Sequence, residues 1–291
     1  MKAREVIDRI KEYHPAFPED YHGCDDYKCG DPDIECTGIV TAMAATVNVI
    51  RKAAELKANL IVVHEPTFYT SADEGGWSED FSNEVYEEKK KMLDEYGIVV
   101  WRDHDHMHAH RPDAIFAGVL KYLGWEDRAI IDTDTGLFAH YLVDVEPQSV
   151  RQLADHLIRT IGINGARIVG DPENTVSRIA LVGHLFPNEY HKKDGTTGEY
   201  SVSIIDVLEK GVDVIIPGEV IDWTVLSYIR DAKQLGKNKA AICLGHFNWE
   251  ELGMRYMKDW LSELVRDELE VTYVPSEDMY DFIVKGGKYE C

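Results

Sequence analysis

Apolar residues recur at helical spacing over residues 2–13, where Val6, Ile7 and Ile10 share one face and Pro15 follows the end. A polar, turn-rich stretch runs from there to Glu35. The period then changes. "TGIVTAM" (37–43) reads as a strand, "TVNVIRKAAELKA" (46–58) as a helix, and "NLIVVHEP" (59–66) as a short buried strand closed by a proline. The helical pattern "SNEVYEEKKKMLDEYG" (82–97) stops at a glycine and feeds the strand-like "IVVWRDH" (98–104). "PDAIFAGVLKYLGW" (112–125) predicts another helix, with Pro112 near its first turn.

The second half repeats the alternation. A strand ("YLVDVE", 141–146), a helix ("SVRQLADHLIRTIG", 149–162) and a strand ("ARIVGD", 166–171) lie between the loops "EDRAIIDTDTGLFAH" and "DPENT". "RIALVGH" (178–184) opens a further α/β run. "IIDVLEKGVDVIIPGEV" (204–220) parallels "IRKAAELKANLIVVHEP" (50–66): helix, polar turn, apolar strand, then an acidic residue at the strand's carboxyl end. "NKAAICLGHFNWEELGMRYMKDWLSELV" (238–265) adds a strand, a Gly-His turn and a long amphipathic helix. The expected fold is α/β, a two-lobed, pseudo-duplicated sandwich with mixed, mostly parallel sheets. Its parts are an N-terminal lobe (1–128), a middle segment (129–175) and a C-terminal lobe (176–291), with a site shared between the lobes.

Charge narrows the partners. With 53 acidic and 31 basic residues the formal net charge is −22, a field that repels phosphate backbones and anionic membranes and so argues against nucleic-acid and membrane partners. A small anionic substrate stays open, because a divalent metal outweighs the local field. The apolar runs, such as Leu60 to Val63, are too short to span a bilayer. "MKAREVIDRIKEYHP" is a charged amphipathic helix rather than a signal peptide, and five cysteines suggest reduced thiols; both point to the cytoplasm. Cys24, Cys29 and Cys36 match no paired zinc spacing.

The candidate chemistry is concentrated in "WRDHDHMHAHRPD" (101–113), where His104, His106, His108 and His110 fall within seven positions. Two further strand ends offer similar groups: His64 with Glu65, and His246 with Glu250. Carboxyl ends of strands are where α/β proteins build sites. His246 and Glu250 are four apart, one helical turn, and so are His104 and His108; if the tract is extended instead, all four alternate histidines share one face. Imidazole with carboxylate suits zinc, iron or manganese. Taken singly, His64 reads as a satisfied core histidine and Glu65 as a turn cap. Three strand ends with the same chemistry favour a metal site. His106 and His110 read as neighbours of the ligands, and His22, His184 and His191 as loop residues. Glu219, at the matching strand end of the second lobe, is a candidate base or substrate contact, and His106 a candidate proton shuttle. The spacing fails the HxHxDH and HxH patterns of other metallohydrolases, and no GxGxxG, Walker A or GxSxG is present.

In this arrangement the chain resembles the NIF-three-like dinuclear metal-centre family, also known as GTP cyclohydrolase I type 2 homologues. "CGDPDIECTGIV", "VVHEP", "WRDHDHMH", "IIPGEV" and "LGHFNWEELG" stand in the order of that family's motifs, and the closing Gly-His-xxx-Glu is the most specific. Two positions depart from it: Glu65 replaces the second histidine of an HHP, and His108 the aspartate of an HTxxD. The resemblance implies a ligand set of His64, Glu65, His104, His108, His246 and Glu250, holding two divalent metals, or one if the exchange has dismantled half the cage. It implies a homo-oligomer, a hexameric ring, and cyclic amide hydrolysis on a purine nucleotide; the leading expectation is a metal-dependent hydrolase of a small molecule, a cyclic amide or a phosphoester. The alternatives are a non-catalytic metal-binding scaffold or regulator and, third, a metal store.

Overall fold

The computed structural model describes residues 1–18, 20–70, 83–131, 141–183, 203–218, 220–266 and 268–283. In chain order the elements are α1 (Ala3–Tyr13), β1 (Tyr27–Cys29), β2 (Ile39–Ala42), α2 (Val47–Leu56), β3 (Leu60–Val63), α3 (Glu84–Tyr96), β4 (Val99–Arg102), α4 (Asp105–Ala109) and α5 (Ala114–Leu123). They continue with β5 (Ala129–Ile131), β6 (Tyr141–Ser149), α6 (Val150–Ile161), β7 (Arg167–Val169), β8 (Thr175–Val182), α7 (Ile204–Glu209) and β9 (Val214–Pro217). The last are α8 (Val225–Gln234), β10 (Ala240–Cys243), α9 (His246–Leu264) and β11 (Val271–Tyr273). Contacts divide the chain into Met1–Val119 with Glu250–Ser276, and Leu120–Trp249 with Glu277–Cys291. Among the described residues no helix is long and apolar enough to cross a membrane.

In the first unit the sheet order is β1-β4-β3-β2-β11. β11, β2, β3 and β4 run parallel and β1 closes one edge antiparallel. The strands are short apolar runs because both faces are covered. Val40, Ala42, Ile61, Val63 and Val100 pack with Val49, Ile50 and Ala53 of α2 and Leu93 of α3. On the other face Thr41 donates to the Met254 carbonyl of α9 at 3.2 Å, and the Lys11 ammonium of α1 sits 4.6 Å over the Trp101 ring. Side-chain caps start the helices where the sequence places them: Thr46 Oγ1 accepts from Val49 N–H and Asn83 Oδ1 from Tyr86 N–H. Gly97, at φ +62°, ends α3. α5 and α9 meet backbone to backbone, since a Cβ on Gly118 would lie 2.6 Å from Gly253 Cα.

The second unit holds the sheet β5-β6-β8-β9-β10-β7. β8, β9 and β10 are parallel; β5, β6 and β7 add antiparallel neighbours. Ala180, Val182, Ile215 and Ala241 pack with Leu208 of α7 and Val225 and Ile229 of α8. The two segments that match in sequence fold alike, α2 into β3 and α7 into β9, each strand flanked by parallel neighbours. Both sheets are mixed with parallel centres, as the alternating pattern predicts. The short strands β1, β5 and β11 are not foreseen in the pattern, whereas β7, equally short, is. Pro112 stands just ahead of α5, near its first turn. Asp113 is the cap, its Oδ1 accepting from Ile115 and Phe116 N–H at 2.9 and 3.1 Å.

Candidate metal centre

Register brings the first candidates together. Ala42, Val63 and Arg102 are aligned neighbours at the carboxyl ends of β2, β3 and β4, so the residues that follow, His64–Glu65 and Asp103–His104, emerge side by side. His64 and Glu65 N–H both donate to the Met43 carbonyl (3.2 and 2.8 Å), and Asp103 N–H to that of Val63 (2.8 Å). The turn at each strand end is thereby fixed.

The histidine tract then has to choose between helix and strand, and Asp25 decides it. Its Oδ1 accepts from His104 and Asp105 N–H (2.7 and 2.9 Å) and its Oδ2 from His106 N–H (2.9 Å). These are amides that a helix start leaves unsatisfied. Burial alone would raise the Asp25 carboxyl, but the His106 side chain and the backbone amides hold it below the usual range. With α4 formed, His104 and His108 share one face. Asp25 is a residue that sequence reasoning missed: one acid in a turn-rich stretch gives no signal that it caps a helix some eighty positions on.

His64, His104 and His108 form a nest. Their ring centroids are 4.5 to 4.9 Å apart, and one ring nitrogen from each lies within 4.8 Å of the others. His64, Glu65 and Glu250 each bring an atom within the same limit. His64 is fully buried, His108 and Glu250 almost so. Each imidazole is held through its Nδ1: His64 by the Asp103 carbonyl (3.1 Å), His104 by Asp105 Oδ1 (2.7 Å), His108 by Asp113 Oδ2 (2.7 Å). In a neutral ring that donates from Nδ1 the lone pair is on Nε2, and an acceptor at the opposite nitrogen is the usual support of a metal-ligating histidine. Asp113 serves twice, capping α5 and orienting His108. Arg102 donates to the His64 carbonyl (2.9 Å) and lies 3.4 Å from Glu65 Oε2.

The electrostatics separate the rings. Burial, then the neighbouring His104 and His108, hold the His64 pKa well below its ordinary value. Burial also lowers that of His108, but Asp113, Glu250 and Glu65 overcome it and raise it. His64 Nε2 is buried with no hydrogen-bond partner among the described residues, its near acidic neighbour being Glu250 Oε2 at 3.8 Å. An orphaned buried nitrogen among convergent imidazoles and carboxylates is a donor set that could hold a metal ion.

Two other groups adjoin the nest. Cys24, His104 and Asp105 come within 4.8 Å, but there Tyr21 and Cys24 donate to Asp105, and burial raises the Cys24 thiol away from the thiolate a metal needs. Asp25, Asp103 and His106 make the second group. His106 therefore stands with Asp25 rather than among the nest's rings. His110 bonds His14 (Nδ1 to Nδ1, 3.2 Å) and stacks on Tyr13. His246 opens the helix that carries Glu250, belongs to the second unit and joins none of these groups. His22 is exposed; Glu219, His184 and His191 lie outside the described residues.

A model of the family Duf34/NIF3 (NGG1p interacting factor 3) matches residues 1–279. A Clostridium perfringens protein named GTP cyclohydrolase 1 type 2 homolog is 21% identical over 293 residues, covering 97% of this chain and 100% of its own. Among solved structures, Staphylococcus aureus protein SA1388 aligns with a TM-score of 0.71 at 16% identity, over 97% of this chain and 99% of that one. A Bacillus cereus protein related to NIF3 gives 0.69 at 14% identity, over 97% and 99%. At these identities the structural likeness speaks for the fold.

Proposed function

The chain belongs to the Duf34/NIF3 family, and from that membership and the histidine–carboxylate nest we propose that it is a metal-dependent hydrolase of a small molecule, a cyclic amide or a phosphoester. The observation that carries the reading is the convergence of three imidazoles, each fixed through Nδ1, with the buried His64 Nε2 making no hydrogen bond among the described residues. His64, His104 and His108 with Glu65 and Glu250 would hold zinc, iron or manganese, two ions per chain in the family's manner. His246 stays in the proposed set on its one-turn spacing from Glu250.

When bound, such a cation supplies Lewis acidity, lowering the pKa of water and polarising a carbonyl or phosphoryl oxygen. The chain's own residues prepare for it. Asp105 and Asp113 keep the His104 and His108 rings in one tautomer and raise their basicity as ligands. Arg102 ties the β4 end to that of β3 and balances part of the charge on Glu65. Glu219 remains the proposed base or substrate contact.

The test is a metal analysis of untagged protein, followed by assay of the loaded chain on cyclic amides, purine nucleotides included, and phosphoesters. Stoichiometric metal and product formation that disappears with His64→Ala are expected. Substoichiometric metal after supplementation would overturn the metal reading. Full loading without turnover on any substrate would overturn the hydrolase and leave a metal-binding scaffold, in the ring-shaped homo-oligomer the family implies.

A further inference from the structure

A second set of donors gathers at the β4–α4 turn, where Asp103 meets Asp25 and His106 of α4. Asp103 is buried, with 1% of its surface exposed. Its Oδ2 lies 3.2 Å from His14 Nε2, whereas its Oδ1 is buried with no hydrogen-bond partner among the described residues. Asp25, Asp103 and His106 each bring one donor atom within 4.8 Å of the others. A cavity of about 490 Å³, whose lining includes Lys11, His14, Phe17 and Tyr21, reaches two of the three, Asp25 and His106; Asp103 is not among its lining residues.

The members are not equivalent. Asp25 takes three backbone N–H groups, and its Oδ2 also lies 2.6 Å from His106 Nδ1. Four donors fill roughly the four lone-pair positions of a carboxylate, so Asp25 has no capacity left for an ion. What it does is hold His106 through Nδ1, which leaves the ring's lone pair on Nε2. Asp103 is the opposite case: a buried carboxylate with an open oxygen, an arrangement that costs free energy until a cation or donor fills it. The lysine of the cavity wall keeps its ammonium over the Trp101 ring, and His14 reaches only the other oxygen.

We propose that this cluster is a second cation site, separate from the nest, in which Asp103 Oδ1 and His106 Nε2 bind a first-row divalent ion whose remaining positions face water in the cavity. Imidazole with carboxylate and water suits manganese, iron or zinc. The peptide carbonyl of Asp103 also holds His64 Nδ1, so one residue serves both sites: its side chain takes the second ion and its backbone orients a ligand of the first. The proposal stands apart from the hydrolase reading, since either site can be filled alone.

Anomalous diffraction from crystals of the full chain soaked in Mn2+, measured at the manganese edge, tests it. A peak is expected between Asp103 and His106, whatever the occupancy of the nest; Asp103→Asn removes it and leaves any nest peak in place. No peak beside Asp103 at saturating Mn2+, repeated with Zn2+, would overturn the proposal, and so would one that survives Asp103→Asn. Should that variant fail to fold, His106→Gln is read in the same way, and the wild-type map decides by itself. A peak beside Asp103 with none at the nest would count against the proposed function alone.

Discussion

His104 and His108 on one side of α4, and His106 and His110 on the other, are pairs of the same residue at the same spacing, yet they meet different surroundings. The first pair joins His64 with every Nδ1 spoken for and the remaining nitrogens converging beside Glu65 and Glu250. In the second, His110 bonds His14 and stacks on Tyr13, while His106 is clamped by Asp25. Helical periodicity, imposed by a capping carboxylate from far up the chain, gives one run of histidines two different surroundings. What makes a histidine available to a metal here is which of its nitrogens is already occupied, and by what.

The most damaging change to the first side should be His64→Ala. It removes the orphaned nitrogen at the centre of the nest, and Zn2+ affinity by chelator competition should fall by more than about 100-fold, beyond the range for a supporting residue. Next comes Asp113→Asn, which leaves the ring of His108 in place but weakens its hold: a loss of about 10–100-fold is expected. If Asp113→Asn binds as tightly as wild type, orientation through Nδ1 is not what readies His108 for a metal. Gly118→Ala should act without touching a ligand. The added methyl meets Gly253 backbone and pushes apart α5, which Asp113 caps, and α9, which carries Glu250, at a cost of about 1–3 kcal/mol in denaturant unfolding.

Acidity should sharpen the contrast further. His108, whose pKa is raised beside Asp113 in the metal-free chain, must lose its proton to bind, so metal affinity falls as pH drops and uptake releases a proton. Metal-free stability follows the opposite signs of the two rings. His64 has a folded pKa below its unfolded value, so the unfolded chain takes up the proton first and stability falls as pH drops below about 6.5. The His108 contribution is present below that pH and is lost as pH rises through its raised value. His64→Gln should therefore flatten the acid loss in urea titrations; an unchanged slope would contradict the assignment. The smallest effect belongs to His106→Gln, which should change Zn2+ affinity at the nest by less than about tenfold, the low end for an outer residue.

Much of this was legible in the residues. The alternating periods gave α2, α3 and β4 within a residue or two and β3 within three, because caps such as Thr46, Asn83 and Gly97 are local signals. The nest's five residues from the first unit were legible as chemistry at strand ends. Hidden were the groups that act through tertiary contact. Asp25, Asp103 and Asp113 look like ordinary acids in a chain with 53 of them. Only the folded register shows that one shapes α4, one supports His64 through its carbonyl and one supports His108. The choice between extended and helical for residues 104–110 was likewise open until Asp25 was in place, since five helical residues carry too little periodicity to declare themselves.

The most direct test of the central claim, that His64, His104 and His108 are ligands through Nε2, is the zinc-edge X-ray absorption spectrum of the metal-free chain given one equivalent of Zn2+. The account predicts a shell of nitrogen and oxygen at about 2.0–2.2 Å, with imidazole scattering from three rings that drops to two in His64→Ala. A sulfur shell at about 2.3 Å, placing the ion on Cys24, or a spectrum that His64→Ala leaves unchanged, would contradict it.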